Sequence, residues 1–320
     1  MNGFFLHLSI VDVVNDKVGT LVQNYGDTFH TFSLLVLKYL LVPLESGLRV
    51  LPPWLVLVLA GVMTWHATRR MGVAALFVLL LYLIGGFGLW DKLMQTLALM
   101  LVATVLSIVI GVPAGVVCSQ SRVVRRVLLP VLDVMQTLPS FVYLIPVLML
   151  FGLGKVPAIF ATVIYALPPL IRLTDLGIRH VDGDVIEAAR AFGTTGWQLL
   201  LGVQLPLARP SIMAGINQTT MMSLSMVVIA SMIGSRGLGE DVLAGIQTLD
   251  VGKGMQAGIA IVILAIVIDR VSQGYGQERR ARRVAAAQRD AKVQARRQKR
   301  EQGQGRELEP DGELASEARH

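Results

Sequence analysis

The sequence predicts an all-α, polytopic membrane protein with about seven transmembrane helices and an N-terminal amphipathic interfacial helix. Three observations predict it. Of the 320 residues, 53% are hydrophobic and only 16% are charged, against roughly a quarter charged in soluble domains. Several apolar runs reach about 20 residues, the length that crosses a hydrocarbon core of roughly 30 Å. Lysine and arginine gather in alternate loops, as they do in chains threaded through a bilayer.

The opening, MNGFFLHLSIVDVV, lacks the basic n-region of a signal peptide, and no small-residue cleavage site follows it. Within residues 1–51, the stretch FSLLVLKYLLVPLESGLRVL places Lys38, Glu45 and Arg49 on one helical face, with leucines and valines opposite. Such a helix lies in the membrane interface. An eighth span bent at Pro43 is the competing reading; the interfacial one is preferred and leaves the N-terminus outside. Residues 52–92 supply two accessory spans, 52–68 and 71–90. The transport domain, 93–273, holds spans at 94–118, 130–152, 156–177, 211–234 and 255–272.

The basic residues orient these spans. One set of loops contains Arg69 and Arg70, then Arg122, Arg125 and Arg126, then Arg179, Arg190 and Arg209, and finally the C-terminal tail. The opposite set holds Lys92, Lys155, Arg236 and Lys253, diluted by Asp91, Glu240, Asp241 and Asp250. The first set is therefore expected in the cytoplasm. The tail, 274–320, carries from Gln277 onward twelve Lys/Arg against eight Asp/Glu and almost no large apolar residue. It cannot build a core and is expected to be disordered or transiently helical. Lipid at an anionic leaflet is a plainer partner for it than nucleic acid.

Two connections are long. The first, 181–210, contains VIEAARAFGTTGWQLLLGVQLP. Asp184 and Glu187 have capping-box spacing, Gly193 suits a left-handed helix end, and Thr195 with Gln198 repeats the capping spacing. Leu205 precedes Pro206, which is expected to stop the second helix. Trp197, Leu200 and Leu201 then make an apolar face too small to span a membrane and in need of a partner. It either packs on its own bundle or receives a soluble subunit. The second, 234–255, has glycines for tight turns near the pathway mouth, Gly237 and Gly239 among them, and a short helix expected at 242–249. It is read as an external gate or a docking site, the bland alternative being a hairpin that seals the bundle.

The spacing Glu187-Ala188-Ala189, Gly193, Val203, Leu205-Pro206 resembles the EAA loop of ABC importer permeases, with valine in place of the family's isoleucine. The flanks narrow the resemblance. QTLPSFVYLIPVLMLFGLGKVPAIFATVIYALPPLIRLTDLGI, NQTTMMSLSMVVIASMIG and RGLGEDVLAGIQTLDVGKG are similar to permeases of the glycine betaine/proline betaine importers, and the similarity runs from about Leu93 to Gln273.

What the resemblance implies is specific. The fold would be that of an ABC type I importer permease in the bacterial cytoplasmic (inner) membrane, with the EAA loop and tail inside. Glu187, Ala188, Ala189, Gly193, Trp197, Leu205 and Pro206 would seat a cytoplasmic ABC ATPase. The partners would be that ATPase, an external substrate-binding protein, a second copy of the permease and membrane lipid. The chain would be no enzyme and would carry no cofactor, with ATP and Mg on the ATPase. Transport of choline, carnitine or another small zwitterion is the alternative within the class; a self-sufficient channel or secondary carrier is the alternative outside it.

The residues bear on that last alternative. No GxxxxGK[ST] phosphate loop is present, and Gly154-Lys155 lacks the upstream glycine. Asp133, Asp175 and Asp269 fall near span ends, not at the centres where proton relays sit. Cys118 is the only cysteine, and His7, His30, His66, His180 and His320 are scattered, so no metal site is expected. Gln136, Thr137, Ser140 and Tyr143 on one span, and Asn217, Gln218, Thr219, Thr220, Ser223 and Ser225 on another, are the candidate lining of a zwitterion path, polar but uncharged. Helix–helix hydrogen bonding is the competing role for them. Pro139, Pro146, Pro168 and Pro169 suggest kinked spans.

Overall fold

A computed structural model of the protein describes residues 10–274. The first nine residues and the basic tail lie outside the described residues, and so do the expectations attached to them. Among the described residues there are helices and turns but no strand.

The N-terminal stretch is one continuous helical rod: α1 (Ile10–Val36), a π turn at Leu37–Leu41, then α2 (Val42–Val50). Pro43 follows the π turn, whose wider ladder absorbs the amide that proline lacks. The rod is long and apolar enough to cross a membrane. Glu45 and Arg49 share a face, as read from the sequence, but that face turns toward the bundle, while Lys38 stays exposed. Glu45 is buried and accepts from Lys155 Nζ at 2.7 Å, while Arg49 pairs with Asp91. A carboxylate with a lysine partner is better placed against the protein than against lipid.

Helices α3 (Pro53–Thr68) and α4 (Met71–Gly86) form a hairpin of 16 residues each. At 1.5 Å per residue each extends about 24 Å, short of a full crossing, where two complete spans were expected. The long α5 (Trp90–Gln120) follows.

The expected span 130–152 is not one helix. Helix α6 (Arg122–Thr137) ends at Leu138, whose extended backbone is what a following proline imposes. The chain then bends by 113° into Ser140–Phe151, a 3-10 turn followed by α7 (Leu144–Phe151). The Tyr143 hydroxyl donates to the Met135 carbonyl across the corner.

Helix α8 (Lys155–Arg179) is the axis of the bundle, packed between α5 and α11 (Leu205–Ile229). The approach is close because the facing residues are small. A β-carbon at Gly115 of α5 would lie 2.5 Å from the Thr174 Cβ of α8. In lipid, where burial of apolar surface gives helices little reason to associate, such contact is the main source of packing energy. Leu93, Leu99, Ile159, Leu224 and Leu264 share one buried cluster, which adds α13 (Val251–Gly274) to the bundle.

The bundle has two unlike ends. At one, α12 (Leu238–Thr248) is pinned to α5: Leu238 donates its amide to Thr96 Oγ1 at 2.9 Å, and buried Asp241 lies 2.6 Å from Lys92 Nζ. This helix begins four residues before the expected 242–249, and Leu249 closes it in a left-handed conformation. At the other end lie Arg69, Arg70, Arg122, Arg179 and the connection between α8 and α11.

Candidate functional site

The α8–α11 connection is a folded element. Asp182, not Asp184, is the N-cap of α9 (Gly183–Ala191), its side chain accepting from the Asp184 amide; the sequence offered aspartates two residues apart and the outer one wins. Gly193 then adopts φ +76°, the left-handed geometry that glycine takes without steric cost. Thr194 closes the turn by donating its hydroxyl to the Ala189 carbonyl at 2.8 Å. Thr195 and Gln198 complete the expected capping box at α10 (Gly196–Leu199).

Pro206 does not stop the second helix. A π turn at Leu200–Gln204 leads straight into α11, and Pro206 occupies its first turn, where few amides are needed. The connection is therefore rigidly continuous with a membrane helix. Its inner side is held by Leu200, packed with Ile178 and Ala208, and by buried Leu199.

The outer side differs from the expected one by one residue. Leu200 faces inward; the exposed apolar set is Phe192 (90% exposed), Trp197 (73%) and Leu201. Glu187 and Ala188 are exposed beside it, Ala189 is half-buried, and Leu205 packs against the Ile178–Ala208 cluster. Two largely exposed aromatic side chains on an otherwise well-capped element make an apolar patch with no covering contact from the described residues.

The candidate path residues separate into two groups. Gln136 lines a cavity of about 470 Å³ between α6, α8 and α11, together with Gln218, Pro169 and four charged residues: Arg125, Asp133, Arg172 and Asp175. Arg125 Nε lies 3.1 Å from Asp175 Oδ2, and Arg172 pairs with Asp133. The surroundings of Gln136 are thus charged, where an uncharged lining was expected. The charges are balanced in pairs, which keeps the wall net neutral. Ser140 and Tyr143 sit at the α6–α7 corner. Asn217 accepts from Ser272 on α13, Thr220 bonds the Ile216 carbonyl of its own helix, and Ser223 is fully buried. Of these three only Asn217 bonds to another helix, and none of them lines the cavity, to which α11 contributes Gln218.

The four charged lining residues were missed, although a signal existed. Arg125, Leu129, Asp133 and Gln136 recur at spacings of four and three on α6, as do Pro169, Arg172 and Leu176 on α8, so each set shares one helical face. At the opposite end, Gly237 has φ +150° and approaches Thr96 so closely that a β-carbon would lie 2.6 Å from its hydroxyl, while Gly239 packs on the end of α11. Among the described residues, no three His, Cys, Asp or Glu side chains converge as a metal site would require.

Residues 107–275 match the family described as "Binding-protein-dependent transport system inner membrane component". The chain is 42% identical over 275 residues to the glycine betaine transport system permease protein OpuAB of Bacillus subtilis, covering 86% of this chain and 97% of that one. It is 49% identical over 270 residues to the glycine betaine/proline betaine transport system permease protein ProW of Escherichia coli, covering 84% and 75%. Over 232 residues it is 47% identical to the glycine betaine/carnitine transport permease protein GbuB of Listeria monocytogenes, covering 72% and 82%. Among solved structures it resembles a chain of the MetNI methionine ABC transporter in an inward-facing conformation, with a TM-score of 0.51 at 23% identity over 57% of this chain and 92% of that one. That last likeness concerns the fold.

Proposed function

Because the chain belongs to the family of binding-protein-dependent transport system inner membrane components, we propose that it is the multi-pass permease subunit of an ATP-driven importer of glycine betaine and proline betaine. The observation that carries the solute class is the identity of 42–49% to permeases named for glycine betaine, over most of both chains. The fold supplies what such a subunit needs: a bundle crossing the membrane, a charge-balanced cavity inside it, and a rigid exposed element at one end.

The ATPase subunit is assigned to the Phe192–Trp197–Leu201 surface with Glu187 beside it. Arginines crowd this end, which assigns it to the cytoplasm by the loop-charge rule. ATP and Mg belong to that partner, since the chain has no phosphate loop. One permease offers one such surface, and a homodimer would present two to a pair of ATPases. The external binding protein would dock at the opposite end, around α12. Movement of the ATPase would act on α9 and α10 and pass directly into α11, which the π turn joins to α10 without an intervening loop, and into α8 through the three residues 180–182. Carnitine is a second solute to consider, because one relative is named for glycine betaine and carnitine.

Radiolabelled glycine betaine uptake by the complex reconstituted with its ATPase and binding protein tests the proposal, with proline betaine, carnitine and choline as competitors. Uptake should require ATP and the binding protein. Accumulation without either one, or no accumulation with both, would refute the reading.

A further inference from the structure

The α6–α8–α11 cavity is more than a gap between helices. Its wall carries two cations and two carboxylates, Arg125, Arg172, Asp133 and Asp175. A charge buried among membrane helices is costly, and the Asp175 side chain is such a charge, whereas Asp133 at the cavity's edge is mostly exposed. Two of the four are also left incompletely bonded. The Asp175 side chain is 4% exposed, and its Oδ2 pairs with Arg125 while its buried Oδ1 has no hydrogen-bond partner. The Nε of Arg172 is likewise buried without one. A buried polar atom without a partner is costly, so an orphaned carboxylate oxygen and an orphaned guanidinium N–H on one wall suit a ligand that brings a positive group to the first and a negative, accepting group to the second.

We propose that this cavity is a transit site for a net-neutral zwitterion, whose carboxylate accepts from Arg172 and whose cationic group lies against Asp175 and Asp133. The proposal rests on the importer reading above and deepens it. Charge bookkeeping gives the specificity. The wall is net neutral, so a solute that is itself net neutral preserves the balance and aligns its dipole with the wall. A cation such as choline would satisfy the aspartates but leave Arg172 unpaired beside an added positive charge. An isolated carboxylate would fail in the opposite sense. The permease would thus reject choline by its own chemistry, apart from any selection by the binding protein. The site also lies on the arm that moves: Asp175 is seven residues before Asp182, the cap of α9, so displacement of the connection shifts this wall of the cavity.

The full complex in proteoliposomes tests this, with solute moved per ATP hydrolysed as the readout and glycine betaine delivered by saturated binding protein. Wild-type transport comes first, and its absence would count against the importer reading alone. Given wild-type transport, Arg172→Gln and Asp175→Asn should each lower glycine betaine moved per ATP by roughly tenfold, the effect of losing one charged contact of about 1.4 kcal/mol. An unchanged ratio in both variants would overturn the site. Since Asp175→Asn also removes the partner of Arg125, a second measurement leaves the sequence intact. Radiolabelled glycine betaine is titrated into the wild-type complex in nanodiscs with the binding protein omitted. Saturable binding displaced by proline betaine and carnitine but not by choline supports the proposal. Absence of saturable binding, or equal displacement by choline, overturns it.

Discussion

Gly177 of α8 lies so close to α11 that a β-carbon at position 177 would stand 2.6 Å from the Ser211 Cβ and 3.3 Å from the Ala208 carbonyl oxygen. The crossing sits where α8 leaves for the exposed connection and α11 returns from it. The connection is held in place by this contact as much as by its own caps.

Gly177→Leu should therefore separate the two helices. Overpacking of a close helix contact costs about 1–3 kcal/mol, and the backbone carbonyl in the contact cannot move aside as a side chain could. We expect a lower melting temperature of the purified permease and weaker retention of the ATPase. Gly183→Ala, at a position with no atom within 4 Å, should leave both unchanged.

Gly193 tests backbone conformation alone, because nothing lies within 4 Å of its would-be β-carbon. A β-branched residue in the left-handed region costs on the order of 1–2 kcal/mol, whereas asparagine tolerates it. Gly193→Val should reduce ATP-driven uptake strongly while Gly193→Asn retains most of it. Equal uptake by the two variants would show that the turn geometry is irrelevant to coupling.

Trp197→Asp and Phe192→Asp should leave the permease itself as stable as the wild type, since both side chains are largely exposed. Loss of an aromatic anchor from an interface centre typically costs 2 kcal/mol or more. Co-purification of the ATPase is the measurement, and unimpaired co-purification with both variants would move the docking surface elsewhere.

Lys155→Met leaves Glu45 buried without its main partner, which for a buried ion pair costs about 3 kcal/mol, lessened here by Arg49 at 3.6 Å. Adding Glu45→Leu should recover much of the loss. Thermal unfolding of the wild type, both single variants and the double variant forms the cycle that isolates the pair.

Local chemistry was the legible part of this molecule. Thr195 with Gln198 and the glycine at 193 specify their own conformations within a few residues, so the capping box and left-handed turn followed from spacing. The resemblance carried by Glu187 through Pro206 gave the class of the chain, which the relatives bear out. Effects that depend on partners far along the chain were hidden. Glu45 reads as one member of a polar stripe until Lys155, 110 residues away, is placed beside it. Leu200 and Phe192 exchange roles because Ile178 and Ala208 supply a pocket that spacing alone does not reveal. Pro139 announced a kink, but only the fold shows a bend of 113°. Pro206 was read as a stop because a proline rule assumes a regular ladder, and the ladder there is not regular.

The π turn at Leu200–Gln204 holds one residue more than a regular helical turn accommodates. Each residue rotates an α-helix by about 100°, so this surplus residue fixes the azimuth of Trp197 and Leu201 relative to Ala208 and Gly215 further along the rod. Deleting Gly202, which packs against nothing, would restore a regular helix and swing the aromatic surface by more than a quarter of a revolution, with every membrane-embedded contact of α11 intact. The transporter would keep both of its surfaces and lose the angle between them. For this segment, length matters more than composition.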